Sequence, residues 1–164
     1  MKKLIFFTVS SLLVSSLAFA HGDDAHGKKD FDVSTAEQMS FGIAGDKQKS
    51  NRKINVVMDD TMRFTPSTIK IREGETVTLV VRNNGKILHE AVIGSMKELN
   101  EHADMMRKFP EMEHEAPYMA HVKPGMSQEI VWTFNKPGEF NFACLIAGHF
   151  EAGMVGKITV AAQN

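Results

Sequence analysis

The sequence predicts an all-β Greek-key sandwich of seven or eight strands, with one helical insertion around residues 95–109. Short runs in which apolar and polar residues alternate recur from Lys53 onward. Turns rich in Gly, Pro and Asn separate these runs, and one helical pattern interrupts them. The chain of 164 residues is long enough for one domain with a hydrophobic core.

The predicted strands follow one another along most of the chain. They cover residues 53–58, 62–65, 68–72, 76–82, 87–93, 127–135, 139–144 and 154–161. Asn83-Asn84-Gly85 predicts a turn before the strand at 87–93, and Lys136-Pro137-Gly138 predicts one before the strand at 139–144.

A capping box predicts where the helical insertion begins. The Ser95 hydroxyl can accept a hydrogen bond from the third helical N–H, while the Glu98 side chain can reach back to the Ser95 N–H. The helix should end near Phe109, because Pro110 cannot continue it. The insertion therefore separates the strand at 87–93 from the strands that follow residue 127.

Residues 1–20 have the pattern of an export signal. Lys2 and Lys3 precede an apolar run from Leu4 to Val14, and Ala18-Phe19-Ala20 is a small-x-small cleavage site. We expect cleavage before His21, a periplasmic location and no membrane anchor on the mature chain. Residues 21–51 are predicted to form a flexible, histidine-containing arm and lead-in, and residues 52–164 to form the domain.

The charge and cysteine content exclude some classes of function. Without residues 1–20 the chain keeps 17 of its 19 basic residues against 20 acidic ones, a net charge of −3. That balance gives no electrostatic basis for binding nucleic acid. The single cysteine cannot form an internal disulfide, and ligation of a metal would protect its thiol in an oxidising compartment.

The candidate metal ligands lie in two segments. Cys144, His149 and Met154 follow one another at five-residue steps near the C-terminus, and His89 lies within the strand at 87–93. Each of these residues taken singly is more common as a packing or loop residue. Together a thiolate, two imidazoles and a weak thioether form the trigonal type 1 copper arrangement, with Met154 as the axial ligand.

These residues make the chain similar to the cupredoxins, and more closely to the small bacterial periplasmic cupredoxins associated with copper tolerance. The resemblance covers roughly residues 52–160, and it is carried by His89, the loop from Cys144 to Met154, and the segments Met62–Pro66 and Met105–Pro110. It implies a cupredoxin-like fold, one bound copper ion and a redox-active Cu(I)/Cu(II) site. Zinc is the rival metal, but thioethers are poor zinc ligands and structural zinc sites usually contain more cysteines.

A second, weaker copper site is a further candidate. Its residues would come from the arm and from the exit of the insertion: His21, His26, Met112, His114, Met119 and His121. A solvated arm and methionines used for packing are the alternative interpretations. His102 and Met106 lie four residues apart and would share one face of the insertion helix.

Two functions follow from the predicted type 1 site. The first is copper handling and tolerance in the periplasm, and the alternative is a soluble one-electron carrier between periplasmic redox partners. Either function allows a protein partner that exchanges electrons or copper. The sequence does not indicate an enzyme, apart from the open question of weak Cu(I) oxidase activity, because one domain of this length lacks the repeated domains of copper oxidases.

Overall fold

A computed structural model describes residues 33–110, 112 and 114–163. The strands in these residues are β1 (Ile43–Ala44), β2 (Arg52–Asp59), β3 (Arg63–Thr65), β4 (Thr68–Arg72), β5 (Glu75–Asn83), β6 (His89–Gly94), β7 (Met119–Val122), β8 (Ser127–Phe134), β9 (Gly138–Ala143) and β10 (Val155–Ala161). One α-helix, α1 (Met96–Lys108), connects β6 to β7. The predicted export signal and the arm as far as residue 32 lie outside the described residues.

The strands form two sheets of five strands each. The first has the order β1-β8-β5-β2-β3 and the second has the order β4-β10-β9-β6-β7. Two parallel pairs, β2 with β5 and β4 with β10, show that the chain crosses between the sheets rather than folding only as hairpins. The predicted all-β Greek-key sandwich is confirmed.

The strand count exceeds the prediction by two strands. β1 has only two residues, and β7 lies in the Met- and His-containing exit of the insertion. β1 is too short to show an alternating pattern. β7 does not alternate in the way that predicts a half-buried strand, because three of its four residues are buried. β7 becomes a strand because it pairs with β6, a contact between residues that lie far apart in the sequence.

The core lies between the two sheets and is built from alternate residues of facing strands. Val77, Leu79 and Val81 of β5 are buried, as are Trp132 of β8 and Ile158 of β10. The alternation follows from the strand period of two, which sends every second side chain to the same face.

The segment before β2 also contributes to this core. Phe41 is buried, its ring stacks on Trp132 with the centroids 5.3 Å apart, and its carbonyl accepts a hydrogen bond of 3.1 Å from the Trp132 indole N–H. The sequence pattern around Phe41 gave no such indication, because the contact depends on a distant strand. The domain boundary between residues 51 and 52 stays a prediction.

The helix α1 begins and ends where the sequence predicts. Ser95 is the N-cap, and the capping box with Glu98 is complete. Phe109 caps the C-terminal end, one residue before Pro110. Leu99, Ala103 and Met106 are buried in a second, smaller hydrophobic cluster on the outer face of the second sheet.

In the part of the chain that the structure describes, α1 included, we find no helix with both the length and the apolar character needed to cross a membrane.

Candidate metal centre

The second sheet brings the predicted ligands to one end of three neighbouring strands. β9 lies between β6 and β10, and Ala143 is opposite both Val92 and Val155. His89 begins β6 and Cys144 directly follows β9, so these antiparallel strands place the two residues at the same end. One donor atom each from His89, Cys144 and His149 lies within 4.8 Å of the others.

The loop between β9 and β10 is closed by backbone hydrogen bonds. The Cys144 N–H donates to the Met154 carbonyl and the Met154 N–H donates to the His149 carbonyl, both over 3.1 Å. Gly148 and Gly153 have φ values of 87° and 86°, a region that favours glycine. The chain therefore folds back on itself and brings three residues spaced at five-residue steps together.

Asp60 fixes the orientation of the His89 ring. The Asp60 Oδ1 atom lies 3.1 Å from His89 Nε2, and its other carboxylate oxygen accepts from the Lys86 N–H over 2.8 Å. The Lys86 N–H, followed by His89, holds the pKa of Asp60 below its ordinary value. A carboxylate accepting from Nε2–H leaves the lone pair on Nδ1, which is the usual arrangement around a metal-ligating histidine.

The other nitrogen of His89 fits a metal ion. His89 is fully buried, and its Nδ1 atom has no hydrogen-bond partner among the described residues. A buried polar atom without a partner costs about 1–3 kcal/mol. Coordination of an ion by Nδ1 would remove that cost, and the nearby sulfur and second imidazole would supply the remaining donors of a soft or borderline metal site.

Cys144 and His149 face each other across the centre. The Cys144 Sγ atom lies 3.2 Å from His149 Nδ1 and accepts a hydrogen bond of 3.4 Å from the Glu90 N–H. Burial raises the pKa of the Cys144 thiol to about 12, so the metal-free protein carries a protonated thiol at neutral pH. Burial also lowers the pKa of His149, with a further contribution from His89, and this favours the neutral imidazole that can bind a metal.

Met154 belongs to the same buried group. Its side chain is fully buried, and it lies in the core cluster that also contains Cys144. Backbone hydrogen bonds join Met154 to Cys144 and to His149, and they hold the backbone of Met154 next to both residues. Its role as the axial ligand stays a prediction.

Comparison with known proteins identifies the family. The sequence profile of the copper binding proteins of the plastocyanin/azurin family matches residues 50–161, more than half of the chain. The chain belongs to this copper-binding family. The cupredoxin resemblance and copper as the bound metal are thereby confirmed.

Relatives from bacteria carry copper in their names. The copper-resistant cuproprotein CopI of Rubrivivax gelatinosus is 50% identical over 140 residues, which are 85% of this chain and 82% of that protein. The protein of the same name from Vibrio cholerae is 36% identical over 167 residues, covering 96% of this chain and 99% of that one.

Solved structures support the fold. Reduced auracyanin from Roseiflexus castenholzii covers 68% of this chain and 98% of its own, with a TM-score of 0.59 and 20% identity. Auracyanin B covers 77% of this chain and 98% of its own, with a TM-score of 0.60 and 18% identity. At such low identity these likenesses show the cupredoxin fold alone.

Within this cupredoxin, Asp60 and Glu90 are polar partners of the centre that the sequence analysis missed. Glu90 is buried, and its carboxylate accepts a hydrogen bond of 2.7 Å from the Leu145 N–H, next to Cys144. Glu90 could have been noticed as a charged residue within an otherwise apolar strand. Asp60 carried no such signal, because acidic residues in turns are common.

The residues proposed for a second copper site are only partly brought together. His114 and His121 have ring centroids 6.4 Å apart, and the ring centroid of His102 in α1 lies 4.6 Å from that of His114. Met119 instead packs in the second hydrophobic cluster, and Met112 is exposed.

The two histidines that the sequence analysis placed in the arm, His21 and His26, lie outside the described residues. Their part in copper binding stays a prediction.

Proposed function

We propose that this cupredoxin binds one copper ion in a type 1 site formed by His89, Cys144, His149 and Met154, and that it serves in copper handling and tolerance. The observation that carries the proposal is the convergence of one sulfur and two imidazole donors within 4.8 Å. The buried and otherwise unpartnered Nδ1 atom of His89, a statement limited to the described residues, supports it.

Copper bound at this site supplies one-electron redox chemistry between Cu(I) and Cu(II). The chain's own residues set the conditions for it. Asp60 holds one imidazole in a single orientation, and the loop bonds between Cys144 and Met154 fix the sulfur donors relative to each other. Cys144 must lose its proton when the metal binds, so copper affinity should rise with pH over the neutral range.

The role in copper tolerance rests on the relatives. Two proteins named copper-resistant cuproprotein CopI match most of this chain and most of their own length. Export to the periplasm rests on the pattern of residues 1–20, with Lys2 and Lys3 before the apolar run and Ala18-Phe19-Ala20 at its end. A periplasmic protein that donates or accepts copper or electrons is the implied partner.

Copper loading of the mature protein tests the site. We expect an intense visible charge-transfer band on addition of Cu(II), together with an EPR signal whose intensity corresponds to about one copper ion per chain in this centre. Absence of the band from a folded, copper-treated protein would overturn the type 1 assignment.

Growth of a deletion strain tests the role. We expect the strain to be more sensitive to added copper, and a copy of the gene in trans to restore growth. A strain with normal copper tolerance but impaired respiration or another electron-transfer process would instead favour the one-electron carrier. A purified protein that consumes O₂ with Cu(I) in excess would add a weak oxidase activity to the binding function.

A further inference from the structure

A second group of histidines lies under the insertion, on the outer face of the second sheet. His102 comes from α1, His114 from the segment after it and His121 from β7. The His102 and His114 ring centroids are 4.6 Å apart, and those of His114 and His121 are 6.4 Å apart. We call these residues the triple-histidine cluster.

The central histidine of the cluster lacks the hydrogen bonds that a buried imidazole needs. Both ring nitrogens of His114 are buried, and neither has a hydrogen-bond partner among the residues that the structure describes. A neutral imidazole carries one N–H donor and one acceptor nitrogen. Leaving both unsatisfied is rare in proteins, and an ion that binds one nitrogen is a specific way to remove part of the cost.

His121 is held in the manner of a metal ligand. Its Nε2 atom lies 2.8 Å from Glu90 Oε2, and Glu90 is directly opposite His121 in the pairing of β6 with β7. Glu90 is buried, and its second carboxylate oxygen accepts from the Leu145 N–H. A carboxylate that accepts from Nε2–H directs the lone pair of His121 to Nδ1.

We propose that His102, His114 and His121 form a second metal site for a borderline divalent ion, with Cu(II) as the ion bound in this copper-binding protein and Glu90 as a positioning residue. Imidazole nitrogen is a donor that Cu(II) and Zn(II) both accept. The site has no thiolate, so bound Cu(II) will lack the intense charge-transfer band of the first centre.

The cluster is more open than the first centre. Among the residues from 33 to 163 that the structure describes, a group of three donor atoms from His, Cys, Asp or Glu residues lies within 4.8 Å of one another only at His89, Cys144 and His149. The three histidines of the cluster do not meet this distance. Closing the cluster on an ion therefore requires rotation of the rings. We expect weaker binding there than at the first centre, because part of the binding free energy is used to order these side chains.

Glu90 connects the two sites through a single residue. Its backbone N–H donates to Cys144 Sγ, and its side chain contacts His121 of the neighbouring strand β7 on the outer face of the sheet. Alternation along β6 produces this arrangement, because His89 and Glu90 point to opposite faces of the sheet.

Titration of the full mature chain with Cu(II) tests the proposal. The visible band reports the first centre, and EPR reports all bound Cu(II). We expect His114→Ala to keep the visible band and to bind one Cu(II) fewer than the unaltered protein. The matched control is Lys97→Ala, on the exposed face of the same helix, which should bind as many ions as the unaltered protein. Any binding by His21 and His26 is common to all three proteins and cancels in the comparison.

Equal copper stoichiometry in His114→Ala and the unaltered protein would overturn the proposal. If His114→Ala does not fold, His102→Gln provides the same test, because His102 is a half-buried residue of α1 and belongs to the same cluster. Glu90→Gln should keep the ring packing but weaken Cu(II) binding at the cluster by about 10- to 100-fold, the usual effect of losing a carboxylate partner of a ligand. Zn(II) that displaces the EPR-active second ion from the unaltered protein without bleaching the visible band, and that displaces no such ion from His114→Ala, would locate the competition at the cluster.

Discussion

The Cys144–Met154 loop and the triple-histidine cluster both gather side chains of the types that bind metals, but they do so in different ways. The loop carries Cys144, His149 and Met154 within eleven consecutive residues and takes only His89 from elsewhere. The cluster takes each histidine from a different part of the insertion and β7. A site whose residues lie mainly in one loop can be predicted from their spacing in the sequence. A site assembled from separate elements can be recognised only in the folded structure.

The two regions also differ in how completely their polar atoms are satisfied. At the first centre, Asp60 orients His89 and the Glu90 N–H donates to Cys144 Sγ. In the cluster, Glu90 orients His121, while His114 has no hydrogen-bond partner for either ring nitrogen within the described residues. Among the described residues the first centre leaves His89 Nδ1 without a hydrogen-bond partner, whereas the cluster leaves both ring nitrogens of His114 without one. An ion at the proposed second site would therefore have more ordering of its ligands to supply than an ion at the first centre.

The largest expected effect comes from removing the thiol sulfur of the first centre. Cys144→Ala should abolish the visible charge-transfer band, because Cys144 is the only cysteine in the chain. Absorption and EPR spectra after Cu(II) addition measure the change, and far-UV circular dichroism checks the fold. We expect EPR-active Cu(II) at the cluster to remain. A full band in this variant would show that the type 1 assignment is wrong.

Removing the carboxylate behind His89 should have the next largest effect. Asp60→Asn takes away the charged acceptor that lies 3.1 Å from His89 Nε2 and should weaken copper binding at the first centre by about 10- to 100-fold. Competition with a chelator of known copper affinity measures the dissociation constant of copper at the first centre. Asp59→Asn is the matched control, because Asp59 accepts from the Thr61 N–H and lies in the same turn. An equal loss of copper affinity in both variants would show that the lost negative charge, and not the contact with His89, causes the effect.

The sandwich, the capped helix and the approach of Cys144 to His149 were predictable because each depends on local patterns. The assignment of these residues as ligands stays a prediction. Alternation predicts strands, Ser95 with Glu98 predicts the helix start, and a thiol at a strand end followed by a loop with His and Met predicts the metal loop. Each of these signals lies within a window of about ten residues, so none of them needed knowledge of the tertiary structure. The inclusion of His89, far upstream of Cys144, rested instead on the expected donor set and on the cupredoxin resemblance.

The remaining features could not be predicted because they depend on which strands become neighbours. β7 is a strand because it pairs with β6, and the same pairing places His121 opposite Glu90. Phe41 is buried because the segment before β2 reaches Trp132. His102 was recognised only as sharing a helix face with Met106. Its proximity to His114 follows from the path of the chain after the helix.

Replacing the proposed axial ligand should change the first centre without emptying it. Met154→Leu conserves volume in a buried position, so the fold should tolerate it at a cost below about 1.5 kcal/mol. Copper should stay bound, while the reduction potential and the colour change, because the axial thioether bond is weak. Cyclic voltammetry and absorption spectra measure both. Met119→Leu is the matched control, since Met119 is a buried methionine of the second hydrophobic cluster. An identical spectrum and potential in Met154→Leu would remove Met154 from the ligand set.

The smallest effect is expected at the start of the insertion, which holds the helix that carries His102. Burial opposes ionisation of Glu98, but hydrogen bonds from the Ser95 side chain and backbone and from the Ser40 hydroxyl outweigh it and hold the pKa of Glu98 below its ordinary value of 4.5. Because the unfolded chain binds this proton first as the pH falls, the stabilisation by ionised Glu98 is fully present above the unfolded pKa. It is lost as the pH falls through the lower folded pKa.

Glu98→Gln separates the charge from the capping geometry. Glutamine can still complete the capping box, so the copper-free variant should lose only a few tenths of a kcal/mol at pH 7. It should also lose stability less steeply than the unaltered protein below pH 4.5. Urea unfolding at a series of pH values measures both effects. Ser95→Ala, which removes the cap itself, should cost about 1 kcal/mol at every pH. If Glu98→Gln were as destabilised as Ser95→Ala at pH 7, the charge rather than the cap geometry would anchor the insertion, and the order of these two effects would be reversed.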